Sequence, residues 1–89
     1  MHALVVRVSI NDAESTRKTL NEKVVPQISK APGFVAGYWT RAADRSNGRA
    51  MIIFESQEAA QAAAEQLRAN VPDAVTLEGA EVREVVASA

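Results

Sequence analysis

Residues 34–55, FVAGYWTRAADRSNGRAMIIFE, decide the fold. Phe34 to Arg41 gathers Phe34, Val35, Tyr38, Trp39 and Thr40, the aromatic and β-branched residues that fit a pleated surface. Arg49 to Glu55 repeats that character around Met51-Ile52-Ile53-Phe54. Between them, Asp44 to Gly48 holds turn residues, and Asn47-Gly48 suits the positive φ of a tight hairpin. A β-hairpin is therefore expected in the middle of the chain, with one strand and one helix on either side.

Upstream, Leu4 to Ile10 reads as a strand built on Val5, Val6, Val8 and Ile10. Asn11 and Glu14 have capping-box spacing, so a helix is expected to start at Asn11. Leu20, Val24 and Ile28 recur every four residues as its buried stripe. Pro26 falls inside that stripe and should kink or end the regular helix, because it has no N–H for the preceding turn. Ala31-Pro32-Gly33 turns the chain into the hairpin. Downstream, Ser56 is a good N-cap for an alanine-rich helix running to about Ala69. Val75 to Val86 holds the last strand, with Gly79 expected at a bulge or break.

The order is β-α-β-β-α-β, an α+β domain spanning residues 1–89 with an antiparallel sheet. Side chains alternate along strands. Strict alternation puts Leu4, Val6, Val8 and Ile10 with Phe34, Ala36, Tyr38, Ala50, Ile52 and Phe54 on one apolar face, beneath both helices. The other face would carry Arg7, Val35, Trp39, Arg41, Arg49, Met51 and Ile53. Half of that second face is apolar. Water is a poor neighbour for such a patch in so small a domain, so a homodimer is expected to cover it.

Composition removes several function classes. The 89 residues include no cysteine, which excludes disulfides, thiolate metal sites and thiol nucleophiles. His2 is the sole histidine, so neither a Ser-His relay nor a histidine metal pair is available. Beside the N-terminus it is expected to be solvated. Ten basic against eleven acidic residues give a net charge of −1, no footprint for nucleic acid or anionic lipid. The opening MHALVVRVSIND lacks the basic start and long apolar run of a secretory signal, and no apolar run is of membrane-spanning length. A cytoplasmic location, no metal, no membrane and no nucleic-acid partner are the expectations.

Four local strings sharpen this picture: Val5-Val6-Arg7-Val8, Ala31-Pro32-Gly33-Phe34, Phe54-Glu55-Ser56-Gln57-Glu58-Ala59 and Glu81-Val82-Arg83-Glu84-Val85-Val86. In them, and in element order over nearly its whole length, the chain resembles the dimeric α+β-barrel proteins related to antibiotic-biosynthesis monooxygenases. The resemblance implies a ferredoxin-like fold and two sheets facing each other across a dimer. It also implies a ligand pocket between helices and sheet, and no cofactor. That family includes cofactor-free oxygenases of aromatic polyketides, haem-degrading enzymes and isomerases. The haem-degrading branch carries an asparagine where Val6 stands, a tryptophan where Phe54 stands and a histidine where the chain has Ala62, Ala63 and Ala64. The resemblance therefore implies no iron ligation by that route.

The expected pocket is lined by Val6, Tyr38, Ile52 and Phe54, with Tyr38 as the catalytic candidate because a phenol could hold or deprotonate a phenolic substrate. A tyrosine that fills core with its ring and shows its hydroxyl to solvent would look the same in sequence. Trp39 with Arg7, Arg41 and Arg49 could make a stacking anion site at the dimer seam, or simply an ordinary interface. The same element order serves RNA-recognition domains, acylphosphatases and regulatory amino-acid-binding modules. The third strand, RAMIIFES, lacks the aromatic pattern of RNA binding, and Asn11-Asp12-Ala13 lacks a phosphate-cradling glycine. Two classes remain: a dimer that binds a small metabolite, aromatic ones included, or serves as an accessory protein, and a cofactor-free monooxygenase or isomerase acting on an aromatic, polyketide-type substrate.

Overall fold

The computed structural model describes residues 1–89. The elements run β1 (His2–Ile10), α1 (Ala13–Thr19), a π-helical turn (Leu20–Val24), α2 (Val25–Ile28), β2 (Phe34–Arg41), β3 (Asn47–Phe54), α3 (Gln57–Ala69) and β4 (Val75–Glu84). The four strands form one sheet in the order β2-β3-β1-β4, with every pair antiparallel. This is the expected α+β, ferredoxin-like arrangement.

Local chemistry explains most boundaries, with three departures from expectation. Asp12, not Asn11, caps α1: the Ser15 backbone N–H donates to Asp12 Oδ1 at 3.1 Å. Asn11 instead reaches across to Thr76 Oγ1 and the Asp73 carbonyl. The hairpin turns earlier than its Asn-Gly pair suggests. Arg45 takes the positive φ of 63°, and Asp44 accepts from the Ser46 N–H at 3.0 Å and the Ser46 hydroxyl at 2.7 Å. Asn47 and Gly48 already lie in β3. His2 is half-buried rather than solvated, and its Nδ1 is out of water without a partner.

Pro26 acts as anticipated, in a particular way. Its missing N–H and bulky ring are incompatible with the regular ladder, and the preceding turn widens so that the Val25 N–H donates to the Leu20 carbonyl. Gly33 closes the exit with φ +80°, a backbone angle that disfavours any side chain, and a Cβ there would come within 2.9 Å of Ala59 Cβ. Its carbonyl accepts from the Glu55 N–H at 2.8 Å, tying the turn to the start of the α3 segment.

The core lies where α3 crosses the sheet. Leu4, Val6, Ala50, Ile52 and Phe54 meet Ala60, Ala63 and Ala64, and Phe54 is wholly buried. The alanine side of α3 brings its backbone close to β1, β3 and β4. Ser56 caps this helix, accepting from the Ala59 N–H at 3.1 Å, and Arg68 ties its end to the Ala80 carbonyl at 2.7 Å.

A bulge in β2 changes which residues face the helices. Phe34 pairs with Phe54, but the register then slips by one, so Ala36 opposes Ile53, Gly37 opposes Ile52, Tyr38 opposes Met51 and Trp39 opposes Ala50. Directly opposed residues share a face. Trp39 and Arg41 therefore join Ala50 and Ile52 on the helix face, while Ala36 and Tyr38 join Met51 and Ile53 on the open one. Both assignments reverse the expectation from strict alternation, because one extra residue inverts every side chain beyond it. A second slip, between the partners of Arg7 and Val8, leaves Glu78 unmatched beside Gly79, close to the expected break.

Candidate functional site: an apolar cavity under the first helical run

The first helical run, α1 through α2, is held at both ends. At its start the Asn11 and Asp12 N–H groups both donate to the Ala74 carbonyl, at 2.8 and 3.2 Å. The buried Thr16 hydroxyl sits 2.7 Å from the Asp12 carbonyl and 3.4 Å from that of Ala74. At its far end it is held through the Gly33 turn. Between these anchors it stands off the sheet, whereas α3 packs down. A cavity of about 880 Å³ fills the gap.

Its floor is the helix face of the sheet: Leu4, Val6, Val8, Ile10, Ala50, Ile52 and Trp39. Its roof is Thr16, Leu20, Val24 and Ile28 of the first helical run, with Ala63 and Leu67 of α3 at the side. The stripe read from four-residue spacing thus lines a space rather than a packed interface. The π-helical turn helps here, because Leu20, Asn21 and Val24 project from a widened turn of the kind often kept at functional sites.

Of the expected pocket residues, Val6 and Ile52 line the cavity together. Phe54 does not: it is sealed beneath the core, edge-on to Phe34 with ring centroids 6.2 Å apart. Tyr38 is on the opposite face of the sheet and 67% exposed, so it cannot reach a ligand in this cavity. The bulge accounts for that. Of the expected dimer face, Arg7, Arg49, Met51 and Ile53 stand on the open side, with Val35 exposed at the bulge. Trp39 and Arg41 do not belong there.

Trp39 was the residue most easily misplaced, and one signal could have placed it. Gly37 lies two residues before it, on the same side of β2, and its missing side chain is where the indole rests. A Cβ on Gly37 would lie 2.7 Å from Trp39 Cη2 and 2.8 Å from Cζ3. The indole is therefore laid along the strand and over the cavity floor. Gly48, paired with Arg41, is similarly cramped, a Cβ meeting the Thr40 carbonyl at 3.1 Å and Val8 Cγ2 at 3.3 Å.

Arg17, Arg41 and Arg49 are the ionisable residues bordering the cavity, and no acid, histidine or tyrosine joins them. Arg49 belongs by register to the open face, opposite Arg7, and touches only the rim. The two carboxylates held below their usual range both lie elsewhere. Asp12 is lowered first by the Ser15 N–H and then by its hydroxyl, and Asp44 first by the Ser46 hydroxyl and then by its N–H. No cluster of histidine, cysteine and carboxylate side chains is arranged to hold a metal ion. No helix is long and apolar enough to cross a membrane.

The sheet, the two helical layers and the cavity between them define an antiparallel α+β sandwich of ferredoxin-like topology. The chain belongs to the family described as Domain of unknown function (DUF7373) N-terminal, whose pattern matches residues 3–86. No curated protein matches the sequence. Among solved structures, the fold is shared with SnoaB, a cofactor-independent oxygenase from Streptomyces nogalater, at 18% identity and TM-score 0.72, over 98% of this chain and 94% of that one. It is shared with a dimeric ferredoxin-like protein from an uncultured marine organism, at 13% identity and TM-score 0.68, covering 99% and 97%. A monooxygenase from the gene ActVA-Orf6 of Streptomyces coelicolor, in complex with the ligand nanaomycin D, superposes at 17% identity and TM-score 0.61, covering 99% and 92%. At these identities the likeness is one of fold. The fold implied by the local strings is thereby borne out.

Proposed function

We propose that the chain is a small-molecule-binding domain whose apolar cavity takes a flat, aromatic metabolite, and that it works as a homodimer. The cavity carries this reading: about 880 Å³ of mainly apolar space in so small a domain lies within the range of ligand pockets. Well-packed interiors leave few voids larger than a water molecule. Trp39, spread over Gly37, supplies a flat surface on which a ring can stack. A neighbour of the same fold is described with a ligand, which supports such a use of this architecture.

Binding is preferred to catalysis because the lining offers no acid, histidine or tyrosine to move a proton. The second reading, a cofactor-free monooxygenase or isomerase acting on an aromatic, polyketide-type substrate, draws its support from the oxygenases that share the fold. Oxygen uptake with a hydroxylated anthrone separates the two. Binding without oxygen consumption is expected, and turnover above the uncatalysed rate would replace the binding reading with the enzymatic one.

The dimer reading rests on the open sheet face. Opposed rows there are Ala3-Ile53-Ala36 and Val5-Met51-Tyr38, and Met51 is 49% and Tyr38 67% exposed. A second copy of this face would remove Met51 and Tyr38 from water. Light scattering at micromolar concentration should give twice the monomer mass, and Met51→Lys should lower it. A monomeric wild type would sink the dimer.

A further inference from the structure

We infer that the cavity selects an anionic aromatic ligand, a one- or two-ring carboxylate or phenolate, whose ring lies on Trp39 and whose charge meets Arg41. This rests on the binding reading above and adds the charge of the ligand.

Three observations carry it. Trp39 and Arg41 are two apart on one strand and, past the bulge, on one face, opposite Ala50 and Gly48. Residues so spaced stand roughly 7 Å apart along a strand, about the length of a substituted ring. A ring stacked on the indole therefore presents its edge substituent to the guanidinium. Next, Arg17 and Arg41 are uncompensated. The one ion pair of the chain joins Arg83 to Glu81, and neither Arg17 nor Arg41 donates a side-chain hydrogen bond within it. Glu14 of α1 and Glu22 of the π-helical turn flank Arg17 on the outer surface without pairing to it. Last, the cavity wall has no carboxylate that would repel an anion.

The chain fold brings these groups to one end. Arg41 ends β2, and Arg17 lies on α1 soon after β1 ends at Ile10, whose N–H is bonded to the hairpin carbonyl of Ser46. The far end, around Ile28 and Ala31, is apolar. The cavity is thus amphiphilic, greasy at one end and cationic at the other. A planar guanidinium suits a carboxylate, donating two parallel N–H contacts to its oxygens.

Isothermal titration calorimetry with 2-naphthoate and its neutral counterpart 2-naphthamide tests this. The carboxylate is expected to bind about tenfold more tightly than the amide, a difference of about 1.4 kcal/mol. Arg41→Gln, at an exposed and unpaired position, should bring the carboxylate's affinity to within about twofold of the amide's. Equal affinity of the two probes for the wild type, or a preference that survives Arg41→Gln, overturns the charge inference and leaves the binding reading standing. If neither probe binds, both fall.

Discussion

The two helical layers cover one sheet face and do so in opposite ways. α3 presents Ala60, Ala63 and Ala64, small enough for its backbone to lie on β1, β3 and β4, and nothing is left between. The first helical run presents Leu20, Val24 and Ile28, is fixed at its two ends and arches over a void. Larger apolar side chains thus accompany looser packing. α3 supplies tight packing, and the arched run leaves a cavity.

This contrast can be broken by experiment. Phe54→Ala on the packed side should cost about 3–5 kcal/mol in chemical denaturation, because a sealed ring leaves a hole. A cost near that of a surface change would deny that side its tight packing. Ala60→Leu should cost about 1–3 kcal/mol through overpacking. Val24→Leu under the arch should cost less than about 1 kcal/mol, since the added carbon enters open space. Equal penalties for these two substitutions would erase the distinction between the layers.

Gly37→Ala sits between these extremes. Its new methyl group would collide with the indole, so a shift in tryptophan emission is expected, together with a loss of about 1 kcal/mol in thermal or denaturant stability. Trp39 is the only tryptophan, which makes the optical change unambiguous. An unaltered spectrum would mean that the ring does not rest there.

A smaller effect concerns the cap that anchors the arch. The Asp12 carboxyl is lowered in the folded chain, so its contribution is fully present above the ordinary value of 3.8 and fades as pH falls through the lower folded value. Asp12→Ala should therefore lower the melting temperature at pH 7, and the gap should close below about pH 3.8. A gap independent of pH would show that the charge plays no part. Least of all, Tyr38→Phe should leave 2-naphthoate affinity within about twofold. A larger change would mean that the two sheet faces communicate.

The element order was legible in sequence because each boundary carried a chemical mark: Ser56 as a cap, Pro26 as a break, Gly33 as a turn. The strands were legible from Val5, Val8, Ile52 and their neighbours. The side-chain directions in β2 were not, because the bulge falls at Val35, a residue that looks like any strand residue. One unmarked insertion moved Trp39 and Arg41 into the cavity and Tyr38 out of it. The cavity itself was equally hidden, since a Leu20-Val24-Ile28 stripe reads the same whether it packs on a sheet or roofs a void. Val6 and Ile52 were placed because β1 and β3 pair without interruption.

The pairing of β1 with β4 has a consequence for how the chain acquires its shape. His2 lies opposite Glu84, and the Met1 carbonyl accepts from the Val85 N–H at 3.0 Å, so the first strand finds this partner only at the far end of the sequence. The middle hairpin can close locally and early. β1 must wait with one edge unsatisfied until β4 arrives, and contacts so distant in sequence slow the search. Until β4 has been made, β1 keeps an open apolar edge, a template for unwanted strand pairing in the incomplete chain.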